Sequence, residues 1–180
     1  MKGLVDMDYF LRSPRLGFRC WNGDDLPLAM ELWGDGEVTA LIGGPFSPEA
    51  VHARLAQEIR QMEGHGLQYW PIFLLADDRH VGCAGLRIYR KEQRVYELGF
   101  HLRRDFWGQG LATESARAVI DYGFEKLGAE GLFAGHHPEN NSSGRVLLKL
   151  GFSFAGEEFY PSTGILEPTY LLRKPRQQAK

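Results

Sequence analysis

Arg103-Arg104-Asp105-Phe106-Trp107-Gly108-Gln109-Gly110-Leu111-Ala112-Thr113-Glu114 joins two patterns of different period. Before it, Arg94–Leu102 alternates and reads as a strand; after it, Gly110–Leu127 repeats at helical spacing. Two glycines one residue apart at such a junction let the backbone approach a ligand closely, because neither presents a Cβ. The helix that follows leaves its first N–H groups without intrahelical partners and adds the positive end of its dipole. The junction is therefore a candidate pyrophosphate cradle.

Upstream, Tyr69–Ala76, Val81–Tyr89 and Arg94–Leu102 read as three strands. Short polar connections, Asp77-Asp78-Arg79 and Arg90–Arg94, make them an antiparallel meander. Residues 15–21 alternate as a first strand. Asp24-Asp25 caps a short helix to about Trp33, with Pro27 in its first turn. Gly34 to Ser47 carries Gly34, Gly36, Gly43, Gly44 and Pro45 and reads as loop. A second helix runs to about Glu63, with Ser47 at its N-cap and Pro48 at its first position. In the long helix Ala112, Ala116, Val119, Ile120, Gly123, Phe124 and Leu127 share one face. Glu114, Arg117, Asp121 and Glu125 share the other, which reads as solvated. A strand at Leu132–Gly135, a helix at Ser143–Leu150 and strands near Phe152–Phe159 and Thr169–Leu172 follow. With no repeat or linker, residues 1–180 read as one domain.

From position 139 the chain reads Glu-Asn-Asn-Ser-Ser-Gly-Arg-Val-Leu-Leu-Lys-Leu-Gly-Phe, ending at Phe152. Together with Trp107–Ser115 this resembles the GCN5-related N-acetyltransferases (the GNAT superfamily). The closer likeness is to the branch of the ribosomal-protein-alanine N-acetyltransferases and related small-molecule acetyltransferases. That branch carries W-G-x-G-x-A-T-E-[AS] and, later, N-x-x-S-x-R-V-L-x-K-L-G-F, and the resemblance spans about residues 13–173. It implies an α/β (α+β) GNAT fold: a mixed, mostly antiparallel central sheet of about six to seven strands flanked by about four helices. The sheet would be splayed between the fourth and fifth strands, Arg94–Leu102 and Leu132–Gly135, with a pantetheine arm in the gap.

The same resemblance implies acetyl-CoA as the cofactor. Its pantetheine would pair with backbone at Phe100 and Leu102. Its phosphates would rest on Trp107, Gly108, Gln109, Gly110, Leu111 and Ala112, with Arg103 and Arg104 near enough to add charge. Asn140 and Ser143, at the start of the late helix, would contact the cofactor or cap that helix. The implied reaction is direct attack by a primary amine, from a protein N-terminus or a small molecule, in a ternary complex without metal. An alkylammonium with a pKa near 10 is almost wholly protonated at pH 7, and freeing its lone pair costs about 4–5 kcal/mol. Glu97 holds the position of a carboxylate base in several family members. His101, on the same face, lies roughly 13 Å further along the strand and is the alternative base; Glu158 and Tyr160 are further candidates.

The chain departs from the family at Leu147, where many members place a tyrosine that protonates the leaving thiolate; Ser143 is a possible substitute. Leu147 sustains the alternative of a catalytically silent acyl-CoA-binding or sensor module. A second departure is Asp105, which a pyrophosphate would repel and which should therefore face solvent. A nucleotide-binding protein using Trp107–Leu111 is disfavoured, because the loop has no P-loop lysine. Adjacent side chains point opposite ways in extended chain, so His136-His137 reads as structural rather than metal-binding. Trp33 and Phe46 read as core or acceptor pocket. The net charge of −2 argues against a nucleic-acid partner. The two cysteines, Cys20 and Cys83, read as buried reduced thiols, and no apolar run reaches membrane-span length. The expected protein is cytoplasmic, with an amine acceptor as partner, no membrane, and room for a homodimer.

Overall fold

The computed structural model describes residues 8–174. Eight strands form one sheet: β1 (Leu11–Arg12), β2 (Leu16–Phe18), β3 (Tyr69–Leu74), β4 (His80–Arg90), β5 (Val95–Leu102), β6 (Gly131–Gly135), β7 (Ser153–Tyr160) and β8 (Ile165–Arg173). Their spatial order is β1-β2-β3-β4-β5-β6-β8-β7. Every neighbouring pair is antiparallel except β5–β6. The helices are α1 (Leu26–Trp33), α2 (Gly36–Thr39), α3 (Pro48–His65), α4 (Leu111–Glu125) and α5 (Asn141–Lys149). The expected meander is β3-β4-β5. The count exceeds expectation by the two-residue edge strand β1 and the single turn of α2, so the splay falls between the fifth and sixth strands in chain order.

Two apolar clusters lie on the two faces of the sheet. Trp70, Leu86, Leu98, Leu111, Val119, Leu132 and Leu147 pack in one, beneath α4 and α5. Trp21, Leu32, Trp33, Val51, Leu55, Tyr69 and Cys83 form the other, beneath α1 and α3. Each fully buried Leu contributes about 1.5–3 kcal/mol relative to exposure. Alternation along β5 serves both clusters, since Leu98 and Leu102 join the first while His101 turns to the second and stacks edge-on against Tyr69.

The splay is visible in the register. β5 meets β6 only at Val95↔Gly131, Tyr96↔Leu132 and Glu97↔Phe133. Beyond Glu97, β5 continues beside β4 to Leu102, whereas β6 continues beside β8 to Gly135. The Arg103 N–H goes to Val81 O on β4. Backbone groups alternate between the two edges of a strand, so Leu102 and Phe100 turn theirs toward the gap.

Four local expectations are corrected. Asp25 is the N-cap position of α1 but makes no side-chain cap bond there. The capping belongs to Asn22, before the 3-10 turn Gly23–Asp25; it accepts from Asp24 N–H and donates its own N–H to the Asp25 carboxylate. Asp25 also forms a two-point ion pair with Arg19. The segment 34–47 is not all loop, because the Asp35 side chain accepts from Glu37 N–H and caps α2. Ser47 and Pro48 open α3 as expected, and left-handed Gly66 closes it. Cys20 is exposed, while Cys83 is buried. Glu114 is not on a solvated face, as the site below explains.

Candidate active site

Two spaces open at the gap between β5 and β6. One is a groove of about 790 Å³ running to the N-terminus of α4. The other is a cavity of about 250 Å³. Leu41, Ile42, Phe100, His101, Asn140 and Ser143 line both, so the two spaces meet at the splay.

The groove is built mainly from backbone. Gly108 and Gly110 adopt φ of 74° and 77°, conformations that side chains resist. Gly110 is the N-cap of α4 and brings no side-chain acceptor, so the first N–H groups of the helix stay free. Trp107, Gly108, Gly110, Leu111 and Ala112 line the groove. Gln109 does not; its amide donates to Asp105 O and its carbonyl accepts from Arg15. Glu114 anchors this loop. It accepts from Ser13 Oγ at 2.7 Å, Arg15 N at 2.8 Å and Arg15 Nε at 2.6 Å. Burial raises its carboxyl pKa, but the bonds from Ser13 and Arg15 outweigh this and hold it below the ordinary value.

Arg103 and Arg104 do not face the groove. Arg103 pairs with Glu31 and donates to His80 O, and Arg104 pairs with Asp35 and Glu37. The cations lining the groove are Arg145 and Lys149, one turn apart on α5. Leu102 O is taken by Trp107 Nε1 at 2.8 Å, which folds the indole against the strand and leaves Phe100 as the open backbone edge. Asn140 caps α5 by accepting from Ser143 N–H at 3.1 Å, so its amide N–H₂ remains available to a ligand. A left-handed glycine turn, an uncapped helix start and two cations fit the pyrophosphate of coenzyme A.

The cavity is built from side chains. Glu97, Glu158 and Glu167 line it, together with Tyr69, Tyr89, Tyr160 and Phe133. Glu158 and Glu167 sit directly opposite across β7–β8, an arrangement in which like charges repel. Each has one hydroxyl partner: Tyr89 donates to Glu158 at 2.5 Å and Thr163 to Glu167 at 2.7 Å. Burial raises the Glu97 pKa above the usual carboxylate range; Glu158 and Glu167 add to that, while Arg87 and Arg54 oppose it.

His101 takes a different character. Burial, then Arg54 and Arg87, press its pKa down to about 3. Trp33 Nε1–H donates to its Nδ1 at 3.2 Å, which places the ring proton on Nε2. Such a ring accepts protons poorly at neutral pH. Trp33 is thus core and Phe46 lines the cavity. His136 also lines the cavity; its Nδ1 lies 2.8 Å from His137 O, and its ring stacks on Tyr170.

Behind the cavity lies a buried carboxylate that the sequence reading passed over. Glu58 accepts from Arg54 Nε at 2.9 Å, from Arg87 and from Tyr69 N–H. It continues the Val51, Leu55 stripe of α3. An acidic residue on an apolar stripe was the available signal, since a buried charge requires partners.

A profile of the acetyltransferase (GNAT) domain matches residues 15–153. The uncharacterized N-acetyltransferase YoaA of Bacillus subtilis is 31% identical over 179 residues, covering 93% of this chain and 98% of that protein. The spermidine N(1)-acetyltransferase of Escherichia coli is 40% identical over 81 residues, 45% of this chain and 44% of its own. A GNAT-family acetyltransferase structure from Bacillus anthracis superposes with a TM-score of 0.78 at 25% identity, covering 91% of this chain and 97% of that one. The chain therefore belongs to the GNAT family and is an N-acetyltransferase with acetyl-CoA as its acyl donor.

Proposed function

We propose that the chain acetylates a small primary amine carrying more than one positive charge, with Glu97 as the base. The observation that carries this is the cavity beside the splay. Three carboxylates line it, and its only arginine, Arg54, is already paired with buried Glu58. A cationic amine would relieve the facing Glu158 and Glu167, and Tyr160 offers a ring face to an ammonium, whereas Tyr89 and Phe133 stack on each other at 3.9 Å. The name of the Escherichia coli relative supports a polyamine as one such acceptor. A protein N-terminus remains the competing acceptor.

The acyl donor supplies an activated thioester. The protein's contribution is positional: Gly108–Leu111 and Asn140 hold the donor, Phe100 aligns it in the gap, and Glu97 takes the ammonium proton. A carboxyl with a raised pKa suits that task, because its affinity for the proton is closer to that of the operating pH. Coenzyme A is a stable enough thiolate to leave with water as proton source, which accommodates Leu147.

The test combines calorimetric titration with acetyl-CoA and a thiol-release assay across spermidine, simple diamines, monoamines and peptides with free N-termini. Micromolar binding with fastest turnover on the polyamines is the expected result. Peptide preference would overturn the acceptor assignment, and binding without turnover on any amine would restore the silent-module alternative.

A further inference from the structure

We propose that Tyr69 carries the proton from the acceptor amine to Glu97, a residue role resting on the assignment of Glu97 as base. Tyr69 on β3, Gly85 on β4 and Gly99 on β5 form one row across the sheet. A Cβ at Gly85 would collide with the β3 backbone, and a Cβ at Gly99 would overlap Cζ and the hydroxyl of Tyr69. The two glycines form a trough in which the tyrosine ring crosses a whole strand. Its hydroxyl is thereby delivered over β5, two residues past Glu97, where β5 has just parted from β6.

The phenol is held firmly yet left without a partner. Tyr69 is 4% exposed. Its hydrogen bonds run through the backbone, N–H to Glu58 and C=O from Trp21 Nε1. The hydroxyl has no partner among the described residues and meets the cavity. An amine nitrogen in the cavity would give it a hydrogen-bond partner. The Arg87 and Arg54 guanidiniums lie 4.2 and 5.7 Å from the ring centroid, and Glu58 pins both.

The order of groups along β5 suits a relay. Glu97 is the last β5 residue paired with β6, and the end of the Tyr69 ring lies over Gly99, two residues further along the gap. Two residues span roughly 7 Å at about 3.3 Å per residue, so an amine seated in the cavity over Gly99 meets the phenol before the carboxylate. Burial raises the pKa of the phenol well above its ordinary value, and Glu97 adds to this, so the group remains protonated. It passes protons without acting as the base. An N–H bond of the ammonium breaks as an O–H bond forms on Tyr69, while the original Tyr69 proton passes through one cavity water to Glu97, with which the phenol makes no direct hydrogen bond. Tyr69 ends neutral, Glu97 ends as a carboxylic acid, and the amine has its lone pair.

The test compares Tyr69→Phe, Gly99→Ala, Glu97→Gln and the Tyr69→Phe/Glu97→Gln double variant. Acceptors are an alkylamine of pKa about 10 and a hydrazine-type amine already neutral at pH 7. The charged groups around the relay are Arg54 and Glu58 of α3, Arg87 of β4, Glu158 of β7 and Glu167 of β8; the phenol of Tyr160 also faces it. All of these are kept. Tyr69→Phe is expected to lower kcat about 10²-fold with the alkylamine but less than about threefold with the neutral amine. Its rate should keep climbing above pH 8, as free amine replaces the relay. Calorimetric coenzyme A affinity and the melting temperature should stay near wild type. Gly99→Ala, which displaces the ring while keeping it, should reproduce the pattern and covers a failure of the first variant to fold. The double variant should be no slower than the worse single one. Equal losses for both amines, or independent losses in the double variant, would overturn the relay. If Glu97→Gln alone is slow while Tyr69→Phe is normal, the relay falls and the base stands; if Glu97→Gln is normal, the base assignment falls and the relay with it.

Discussion

The coenzyme groove and the acceptor cavity share six lining residues but are made of different material. The groove depends on what is missing: no Cβ at Gly108 or Gly110, no side-chain cap on α4, and no β6 pairing for Phe100 on the gap edge of β5. The cavity depends on what is added, with carboxylates from β5, β7 and β8, phenols from β3, β4 and β7, and a buried ion cluster from α3 and β4. A groove of backbone fixes one ligand and tolerates little. A cavity of side chains can change acceptors by changing single residues while the sheet beneath stays the same.

The sharpest way to break this division is to add a side chain to the groove. Gly110→Trp fills the phosphate turn and forces a left-handed residue to carry a Cβ, at about 1–2 kcal/mol of strain. Open space around the position, with Arg15 Nη2 3.7 Å from a built Cβ, allows the fold to persist. Calorimetry should show acetyl-CoA affinity reduced more than about 100-fold, by loss of several charge-assisted bonds. Wild-type affinity in this variant would mean that the phosphates bind elsewhere.

The matching change in the cavity should leave binding intact. Glu97→Gln is expected to lower kcat about 10²-fold with coenzyme affinity within about twofold. Its effect on stability has the opposite sign. Because burial raises the folded pKa of Glu97, the folded state holds its proton more tightly than the unfolded state does. The ionised carboxylate therefore opposes folding at neutral pH, and this opposition vanishes as pH falls. Glu97→Gln should melt higher than wild type at pH 7, with the difference closing on acidification. A lower melting temperature would show that Arg87 and Arg54 outweigh the burial penalty.

A third prediction concerns the histidines behind the two sites. Folded-state pKa values near 4 for His80 and near 3 for His101 lie below the ordinary 6.5. Here the unfolded state binds the extra proton, so stability is full above about 6.5 and is lost as pH falls toward those values. Each histidine contributes at most about 1.4 kcal/mol per pH unit within that window. Melting temperatures from pH 7 to 5 should fall steeply, and His80→Phe should flatten the fall; an unchanged slope would remove His80 as a cause.

The difference in material also explains what could be read from the chain. The groove is written in contiguous residues, so the strand, the two-glycine junction and the helix after it were legible from spacing, while the cofactor contacts expected of Trp107–Ala112 and Asn140 came from the family resemblance. The meander followed from short polar connections. The cavity is assembled from positions far apart in sequence. Glu167 and Tyr69 are remote from Glu97, and nothing local marks a phenol in an apolar strand as facing an open space. Glu114 was misjudged because its partners, Ser13 and Arg15, lie about a hundred residues away, while helical spacing reports only which residues share a face. Arg103 and Arg104 failed for a related reason: proximity in sequence to a phosphate turn says nothing about acidic residues on α1 and α2 that claim them first.

That last point yields the smallest expected effect. If Arg145 and Lys149 supply the groove's positive charge, removing both should weaken coenzyme A binding by about three- to tenfold, since exposed pairs each contribute about 0.2–1 kcal/mol. The two lie on a helix whose Asn140 cap and apolar face they do not touch, so melting should be unaffected. Exposed charges are screened by salt, which gives the prediction its sign in a second dimension: the wild-type affinity should fall from low to physiological ionic strength, and the double alanine variant should fall less. Arg103→Ala is the control, expected to lower stability through the lost Glu31 and His80 contacts without changing the salt slope. A shallower slope in Arg103→Ala and an unchanged one in the α5 variant would return the phosphates to the side of the loop where Arg103 and Arg104 stand, and would mean that ligand binding breaks their present ion pairs.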